Sequence, residues 1–311
     1  MDVGPGAYAW LQPDGGWGWS NAGLIVDGDA ALLVDTLFDE PLTAAMLKAM
    51  ADATGFGADE IGQVVNTHAN GDHTHGNGLL HRAEIIASEA SAHEMAELSP
   101  QVLAMFKAQG AAGALGEAGA FFADVFAPFD FAAARGRAPT RTFCGQMSTQ
   151  VGDKSVALFE VGPAHTAGDV IVHVAADRVV YTGDILFIDG TPIMWAGPVG
   201  NWLRACDLIV SMDVDAIVPG HGPLADHRQV RAMQDYLRFV EREARRRFEA
   251  GMGPEEAARD IALGDYDAWG DAERIAVNVD TLYREFRGDT TPANALALFG
   301  LMAQIRRDRR R

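Results

Sequence analysis

One short segment of the chain gathers side chains that commonly bind metal ions. Residues 67–77 read THANGDHTHGN and place His68, Asp72 and His73 within six positions. Imidazole nitrogens and carboxylate oxygens are donors that Zn²⁺ and related divalent ions prefer in proteins. The segment follows residues 61–66, an apolar run that predicts a buried strand holding one end of the loop. These features together predict a metal site on a loop at a strand end.

Three later segments carry the same kinds of side chain. His165 lies in GPAHTAGD, Asp184 lies in TGD and His221 lies in PGHGP, each just after a predicted strand. Glycines beside these residues allow backbone conformations that larger residues disfavour, so the chain could approach an ion closely. The repeated context indicates that the four segments converge on one centre.

The order of these motifs resembles the metallo-β-lactamase superfamily of metallohydrolases, over about residues 20–225. The family motif HxHxDH matches residues 68–73 at every position except the second histidine, which is Asn70. The resemblance implies an α/β fold, an αββα sandwich with the metals at one edge of its two sheets. Asp35, which closes a strand as VDT, matches a position that usually supports the metal loop.

The resemblance also implies a set of metal ligands. His165 matches the third-motif histidine, Asp184 the bridging aspartate and His221 the last histidine. Two ligand sets would each hold one metal. The first set is His68, Asn70 and His165. The second set is Asp72, His73, Asp184 and His221.

Asn70 sets the two ligand sets apart. An amide oxygen is a weaker donor to zinc than an imidazole nitrogen, so the first metal should bind less tightly or be absent. We therefore expect one or two zinc ions, with iron or manganese as alternatives. Asn70 could instead form a hydrogen bond to the substrate or to a metal-bound water.

The expected reaction is hydrolysis by metal-bound hydroxide, because a divalent metal lowers the pKa of its water from 15.7 towards about 7. Asp72 and Asp184 would orient the water or carry a proton, and His165 could act as general acid or base. We predict a small, fairly apolar organic substrate with an ester, thioester or lactone bond. The alternatives are displacement on an aryl, halo or sulfate substrate, a mononuclear iron oxygenase on the same scaffold, and a non-enzymatic binding protein.

The elements that must position these residues can be predicted from hydropathy. Residues 22–34 predict a hairpin with a turn at Asp27-Gly28-Asp29, and residues 41–51 predict a helix. Short Val- and Ile-rich runs predict further strands. Polar clusters at strand ends are typical of layered α/β proteins. The further predicted strands span residues 61–66, 83–87, 156–161, 170–175, 179–182 and 216–219.

Three regions are predicted along the chain. Residues 1–225 form a metallo-β-lactamase-like catalytic domain, and residues 88–142 are a Phe-rich helical insertion within it. The phenylalanines either pack the insertion onto the body or line an apolar pocket. Residues 226–311 form a C-terminal helical extension, which either folds back onto the body or mediates a homo-oligomer contact.

The amino-acid composition limits which binding partners and which cellular compartment we expect. The 311 residues include 43 Asp and Glu against 25 Lys and Arg, a net charge of −18, which disfavours nucleic acid. The first 19 residues contain no Lys or Arg and no apolar run typical of a secretory signal, and no stretch approaches the roughly 18 uncharged apolar residues of a membrane span. We therefore expect a cytoplasmic protein without membrane contact that acts on a small molecule. Cys144 and Cys206 are interpreted as buried thiols. The terminal arginines predict a solvated, frayed tail, namely Arg306, Arg307, Arg309, Arg310 and Arg311.

Overall fold

Two β-sheets form the centre of the fold in a computed structural model that describes residues 1–12 and 14–309. The strands are β1 (Asp2–Gly4), β2 (Ala7–Trp10), β3 (Ala22–Asp27), β4 (Ala30–Val34), β5 (Gln63–Val65), β6 (Glu84–Ser88), β7 (Arg141–Phe143), β8 (Gln146–Val151), β9 (Lys154–Glu160), β10 (Val170–Val174), β11 (Val179–Tyr181) and β12 (Ala216–Val218). The first sheet has the order β1-β2-β3-β4-β5-β6-β7 and the second has the order β12-β11-β10-β9-β8.

Helices cover the outer faces of both sheets. The α-helices are α1 (Glu40–Thr54), α2 (Gly71–Thr74), α3 (Glu89–Glu97), α4 (Pro100–Ala111), α5 (Gly116–Val125), α6 (Val199–Ser211), α7 (His227–Glu249), α8 (Pro254–Asp260), α9 (Ile275–Arg287) and α10 (Ala295–Arg309). Within the described residues, no helix is both long enough and apolar enough to cross a membrane.

The core is arranged in layers. Leu32 of β4 and Leu158 of β9 belong to one apolar cluster between the two sheets. Met46 of α1 packs with Leu33 on the outer face of the first sheet, because alternate residues of a strand point to opposite faces. Helices α6 and α7 pack on the outer face of the second sheet. The αββα sandwich expected from the motifs is therefore confirmed.

The predicted hairpin is present as β3 and β4, which pair antiparallel up to Asp27 and Ala30. The helix predicted at residues 41–51 extends over α1, where the Asp39 side chain accepts a hydrogen bond from the Leu42 amide and caps the first turn. Four strands were not predicted: β1, β2, β7 and β8. They are short or largely exposed on one face, so their apolar pattern is weak.

The C-terminal helices fold back onto the body. Helix α7 begins with a capping box at Asp226 and buries Val230, Met233 and Leu237. These side chains share one apolar cluster with Val180 of β11. Of the two alternatives for residues 226–311, the fold-back is observed.

The described part of the arginine-rich end is helical, which corrects the prediction of a frayed tail for Arg306, Arg307 and Arg309. Arg306, Arg307 and Arg309 lie in α10. Arg307 pairs with Glu117 of the insertion, and Arg309 pairs with Asp267. Opposite charges on neighbouring elements hold the last helical turns against the body. Arg310 and Arg311 lie outside the described residues.

The Phe-rich insertion consists of α3, α4 and α5, followed by a loop that leads to β7. Phe126, Phe129 and Phe131 are buried and form one aromatic cluster with Phe38. Ring centroids of Phe38 and Phe131 are 4.6 Å apart. These rings pack the insertion onto the loop after β4, as the packing interpretation predicts. Cys206 is buried as expected, whereas Cys144 is exposed, so the prediction for Cys144 was wrong.

Candidate metal centre

The motif residues lie at one edge of the two sheets, each just beyond the end of a strand. His68 follows β5, His165 follows β9, Asp184 follows β11 and His221 follows β12. Strands β11 and β12 pair in parallel, as do β4 and β5, so the loops after them emerge at the same edge. All four side chains are buried.

Asp184 lies at the middle of the centre. Its Oδ1 atom is 3.1 Å from Nε2 of His73, and its Oδ2 atom is 3.3 Å from Nε2 of His165 and 3.4 Å from Nε2 of His221. Gly220 permits this approach, because a Cβ at that position would lie 2.0 Å from Oδ1 of Asp184.

Two groups of donor atoms surround this carboxylate. The ligand atoms within each group lie within 4.8 Å of one another. The first group is His68, His165 and Asp184, and the second group is Asp72, His73 and His221. The structure thus brings together six of the seven residues expected to bind metal. Asn70, the seventh, lies at the edge of the first group, with its Nδ2 atom 3.1 Å from Nε2 of His165.

The donor set fits a divalent metal. Nε2 of His68, Nε2 of His73 and Oδ1 of Asp184 are buried and make no hydrogen bond of normal geometry, although the last two atoms lie 3.1 Å apart. Buried polar groups are nearly always paired in proteins, so unpaired ones that face a common point indicate a missing partner. Two imidazoles and a carboxylate are the donors that Zn²⁺ accepts.

Asp35 supports the loop that carries His68 and His73. Its Oδ2 atom accepts hydrogen bonds from Nδ1 of His73 (2.8 Å) and from the Thr67 hydroxyl (2.7 Å). The Thr67 oxygen lies 3.1 Å from Nδ1 of His68. Both imidazoles therefore present Nε2 to the centre. Asp35 has a φ of +63°, an unfavourable conformation for a non-glycine residue that the surrounding structure must stabilise.

His165 is oriented in the same way by a different partner. Its Nδ1 atom donates to the Ile193 carbonyl at 2.6 Å, which leaves the lone pair of Nε2 facing Asp184 and Asn70. Burial lowers the pKa of His165, so the imidazole is neutral at pH 7. A neutral imidazole with a free Nε2 can bind a metal or accept a proton.

The donor group of Asp72, His73 and His221 is strongly charged when no metal is bound. Burial lowers the pKa of His221, but the charges of Asp184 and Asp72 outweigh it and raise that pKa to about 9. Burial also opposes the charged form of His73, whose pKa the three nearby carboxylates nevertheless hold well above its usual value. Burial raises the pKa of Asp72, yet His73 and His221 lower it to about 2. In the metal-free protein, protons on His73 and His221 thus supply the positive charge that a bound cation could supply instead.

Other residues near the centre have structural contacts. The Asp169 carboxylate accepts hydrogen bonds from the Thr166 amide and hydroxyl. His75 packs against Phe38 and Phe131, away from the two donor groups. Phe187 and Ile193, which contact His221 and His165, were missed because no motif marks an apolar ring or a backbone carbonyl.

Solved structures with the same fold include a stereoselective inverting sec-alkylsulfatase from Pseudomonas sp., with a TM-score of 0.70 and 15% identity over 94% of this chain and 51% of that chain. A metallo-beta-lactamase from Pontibacter korlensis has a TM-score of 0.52 and 17% identity over 70% of this chain and 87% of that chain. A metallo-beta-lactamase from Pseudomonas aeruginosa in the mono-zinc form has a TM-score of 0.55 and 19% identity over 76% of this chain and 93% of that chain. This chain spans about half the length of the alkylsulfatase.

Sequence comparison identifies the family. A search of proteins with curated functions returned no match. A sequence profile described as the metallo-beta-lactamase superfamily matches residues 15–221, which is more than half of the 311 residues and includes every residue of the two donor groups. The chain therefore belongs to the metallo-beta-lactamase superfamily, as a hydrolase of that fold.

Proposed function

We propose that this protein is a zinc-dependent hydrolase of small, fairly apolar organic molecules, with an ester, thioester or lactone as the bond cleaved. The observation that carries the proposal is the position of Asp184 between two groups of buried donor residues, in which Nε2 of His68 and Nε2 of His73 have no hydrogen-bond partner. In this proposal His68 and His165 hold one ion with Asp184, while Asp72, His73 and His221 hold the other with the same carboxylate. The second set is complete, so we expect it to bind more tightly.

A divalent ion held by these residues would supply Lewis-acid chemistry, lowering the pKa of a bound water and polarising the bond under attack. The protein's own groups supply the rest. Asp72 and Asp184 stay ionised near neutral pH, because neighbouring imidazoles outweigh the effect of burial on the pKa of each. They can orient a water molecule and accept its proton. Where the first set holds no ion, Nε2 of His165 can accept a proton from water and then pass it to the leaving group, because the imidazole is neutral and its Nδ1 donates to the Ile193 carbonyl.

We place the organic part of the substrate in a cleft beside the metal loop. The cleft has a volume of about 420 Å³ and is lined at one end by Thr74 and His75, but by none of the candidate metal ligands. Met95 and Leu98 of the insertion contribute apolar side chains to a lining that also contains polar ones. Its volume lies within the roughly 300–1,000 Å³ of pockets that bind small organic molecules.

Sulfate esters are the second candidate class, since Arg135 and Arg137 line the same cleft. Guanidinium groups bind oxyanions through paired hydrogen bonds. The likeness to the alkylsulfatase extends over 94% of this chain, against 70% for the Pontibacter korlensis lactamase. An alkyl sulfate would combine an apolar chain with an anionic group.

The test begins with protein expressed without added metal and reconstituted with Zn²⁺, Mn²⁺ or Fe²⁺. A panel of aryl esters, thioesters, lactones and secondary alkyl sulfates is then assayed at pH 7. Zinc-dependent turnover of a carbonyl substrate would support the leading proposal, and turnover of the sulfates alone would support the second. Activity that requires iron and consumes O₂ would overturn both, and a chain that binds none of these ions would exclude metal-dependent catalysis.

The role of His165 has its own test. If the tightly bound ion lies in the second set, we expect His165→Ala to reduce turnover much more than metal content, because Asp72, His73, His221 and Asp184 still hold that ion and only the proton carrier is lost. His173→Ala, a substitution on β10 outside the centre, is the control. Metal analysis and steady-state rates measured on the same preparation separate the two effects. Equal losses of metal and turnover would show that His165 only binds metal.

A further inference from the structure

His221 is the exception among the four histidines of the candidate centre. Nδ1 of His73 donates to Asp35, Nδ1 of His165 donates to Ile193, and Nδ1 of His68 contacts Thr67. Nδ1 of His221 is buried without a hydrogen-bond partner. Metal-binding histidines are usually oriented by a hydrogen bond through this second nitrogen. A different contact must therefore orient His221.

The ring of Phe187 makes that contact. It is stacked on the His221 imidazole with centroids 5.0 Å apart and an angle of 3° between the planes. The backbone reinforces the stack, because the Ile188 amide donates to the His221 carbonyl at 3.0 Å. The same ring meets His165 edge-on at 5.7 Å. Phe187 thus contacts one histidine from each donor group.

Phe187 is in turn held by Arg274, which belongs to the C-terminal extension. The guanidinium carbon of Arg274 lies 5.4 Å from the Phe187 ring and 4.4 Å from the Trp17 ring. The side chain is 2% exposed, and it donates to the Thr191 carbonyl and pairs with Asp271. The Thr191 amide also donates a hydrogen bond to the Gly270 carbonyl at 2.8 Å. The extension therefore holds the segment from Phe187 to Thr191 in place.

We propose that Phe187 and Arg274 are positioning residues for His221, and that the C-terminal extension thereby contributes to metal binding. A flat ring parallel to the imidazole limits its rotation about the Cβ–Cγ bond. A buried guanidinium attracts the face of that ring and keeps it from moving away from His221. This arrangement performs through stacking what Asp35 performs for His73 through a hydrogen bond. The inference rests on the metal centre proposed above.

The test measures metal affinity instead of turnover. Phe187→Leu removes the flat ring and keeps most of the apolar volume, and Arg274→Met removes the charge and keeps the length of the side chain. Zn²⁺ affinity is measured by competition with a chelator, and the absorption spectrum of the Co²⁺-loaded protein reports ligand geometry. We expect each variant to lose about tenfold in affinity and to show an altered Co²⁺ spectrum.

Phe286→Leu is the matched control. Phe286 carries a guanidinium, that of Arg245, 3.5 Å from its ring, in the same extension but without contact to the donor groups. It should lower thermal stability and leave Zn²⁺ affinity unchanged. Phe187→Tyr, which restores the flat ring, should restore both the affinity and the spectrum. If Arg274 acts through Phe187, the double variant should lose no more affinity than the weaker-binding single variant.

The possible failures can be distinguished. If Phe187→Leu and Arg274→Met reduce thermal stability as Phe286→Leu does and keep Zn²⁺ affinity within twofold of the parent, the positioning role is wrong and the stack is ordinary packing. If Arg274→Met does not fold, Phe187→Leu and Phe187→Tyr alone decide the question. If the parent protein binds neither Zn²⁺ nor Co²⁺, the proposed function itself has failed.

Discussion

The two sides of the candidate centre are held in place by different means. His68 and His73 lie on one loop and are oriented by hydrogen bonds that lead to a single carboxylate, Asp35. His221 lies on a separate loop and is oriented by the ring of Phe187, which packs against Arg274 of the C-terminal helices. The contacts that orient His68 and His73 are polar and come from residues on neighbouring loops, whereas those that orient His221 are aromatic and come from distant parts of the chain.

The difference shows how two kinds of interaction divide the same task. Hydrogen bonds set both the direction and the tautomer of an imidazole, so Asp35 also determines which nitrogen of His73 faces the centre. Stacking sets the plane of the ring but leaves its proton unassigned. We therefore expect the Asp35 side to be sensitive to charge and the His221 side to be sensitive to shape.

The largest expected effect comes from the group that both sides share. Asp184→Ala removes the carboxylate between the two donor groups and leaves His68, His73 and His221 without an anionic neighbour at that point. We expect loss of all tightly bound metal and of measurable turnover. Metal content per chain after gel filtration is the measurement, with the exposed Asp153→Ala as control. Retention of one ion at the parent affinity would show that the two sides do not depend on Asp184.

Asp35→Asn should break the polar side alone. Asparagine tolerates the positive φ of this position but lacks the charge and the second acceptor oxygen. We expect metal affinity to fall about 10–100-fold, as for other residues that orient ligands. Asp177→Asn is the control, because Asp177 is a buried aspartate that pairs with Lys154 at 2.8 Å, outside both donor groups. If the two variants have equal metal affinity, Asp35 acts on stability only.

Asn70→His should reduce the difference in metal affinity between the two donor groups. The new imidazole would lie beside His165, where the Asn70 amide now lies 3.1 Å from Nε2. Because imidazole is a better donor to zinc than an amide, we expect several-fold tighter binding at the first set. Isothermal titration with Zn²⁺ should then resolve two strong sites instead of one strong and one weak site. An unchanged titration would mean that Asn70 is not at a metal position.

The smallest expected effect is a pH dependence of the metal-free protein. The pKa of His221 is raised to about 9 in the folded state. A group with a raised folded pKa stabilises the fold fully below its unfolded value, near 6.5, and this contribution is lost as the pH rises through the folded value. The pKa of His73 is raised as well, so both histidines act in the same direction.

We therefore expect the free energy of unfolding of the metal-free protein to decrease by about 1–3 kcal/mol between pH 6.5 and pH 9.5. Chemical denaturation at several pH values measures it. The Zn²⁺-loaded protein should show a smaller decrease, since its ligands are already deprotonated. A metal-free protein that becomes more stable over this interval would contradict the charges assigned to His73 and His221.

The sequence by itself determined the motif residues and most of the sandwich around them. The spacing of His68, Asp72 and His73 within one loop could be recognised directly, because ligands close together in the chain need little tertiary information to meet. The strands after which His165 and His221 lie were predicted from their apolar runs, since β9 buries alternate residues, Val156 and Leu158, and β12 buries Ile217 and Val218.

Only the tertiary structure decided what supports those ligands. The stack of Arg274, Phe187 and His221 joins segments that are far apart in the chain, and neither an arginine nor a phenylalanine carries a motif. The short or half-exposed strands, such as β1 and β8, and the ordered arginines of α10 were missed for a related reason. Pairing with a neighbouring strand and with acids on other elements determines their structure, and local patterns do not contain those partners.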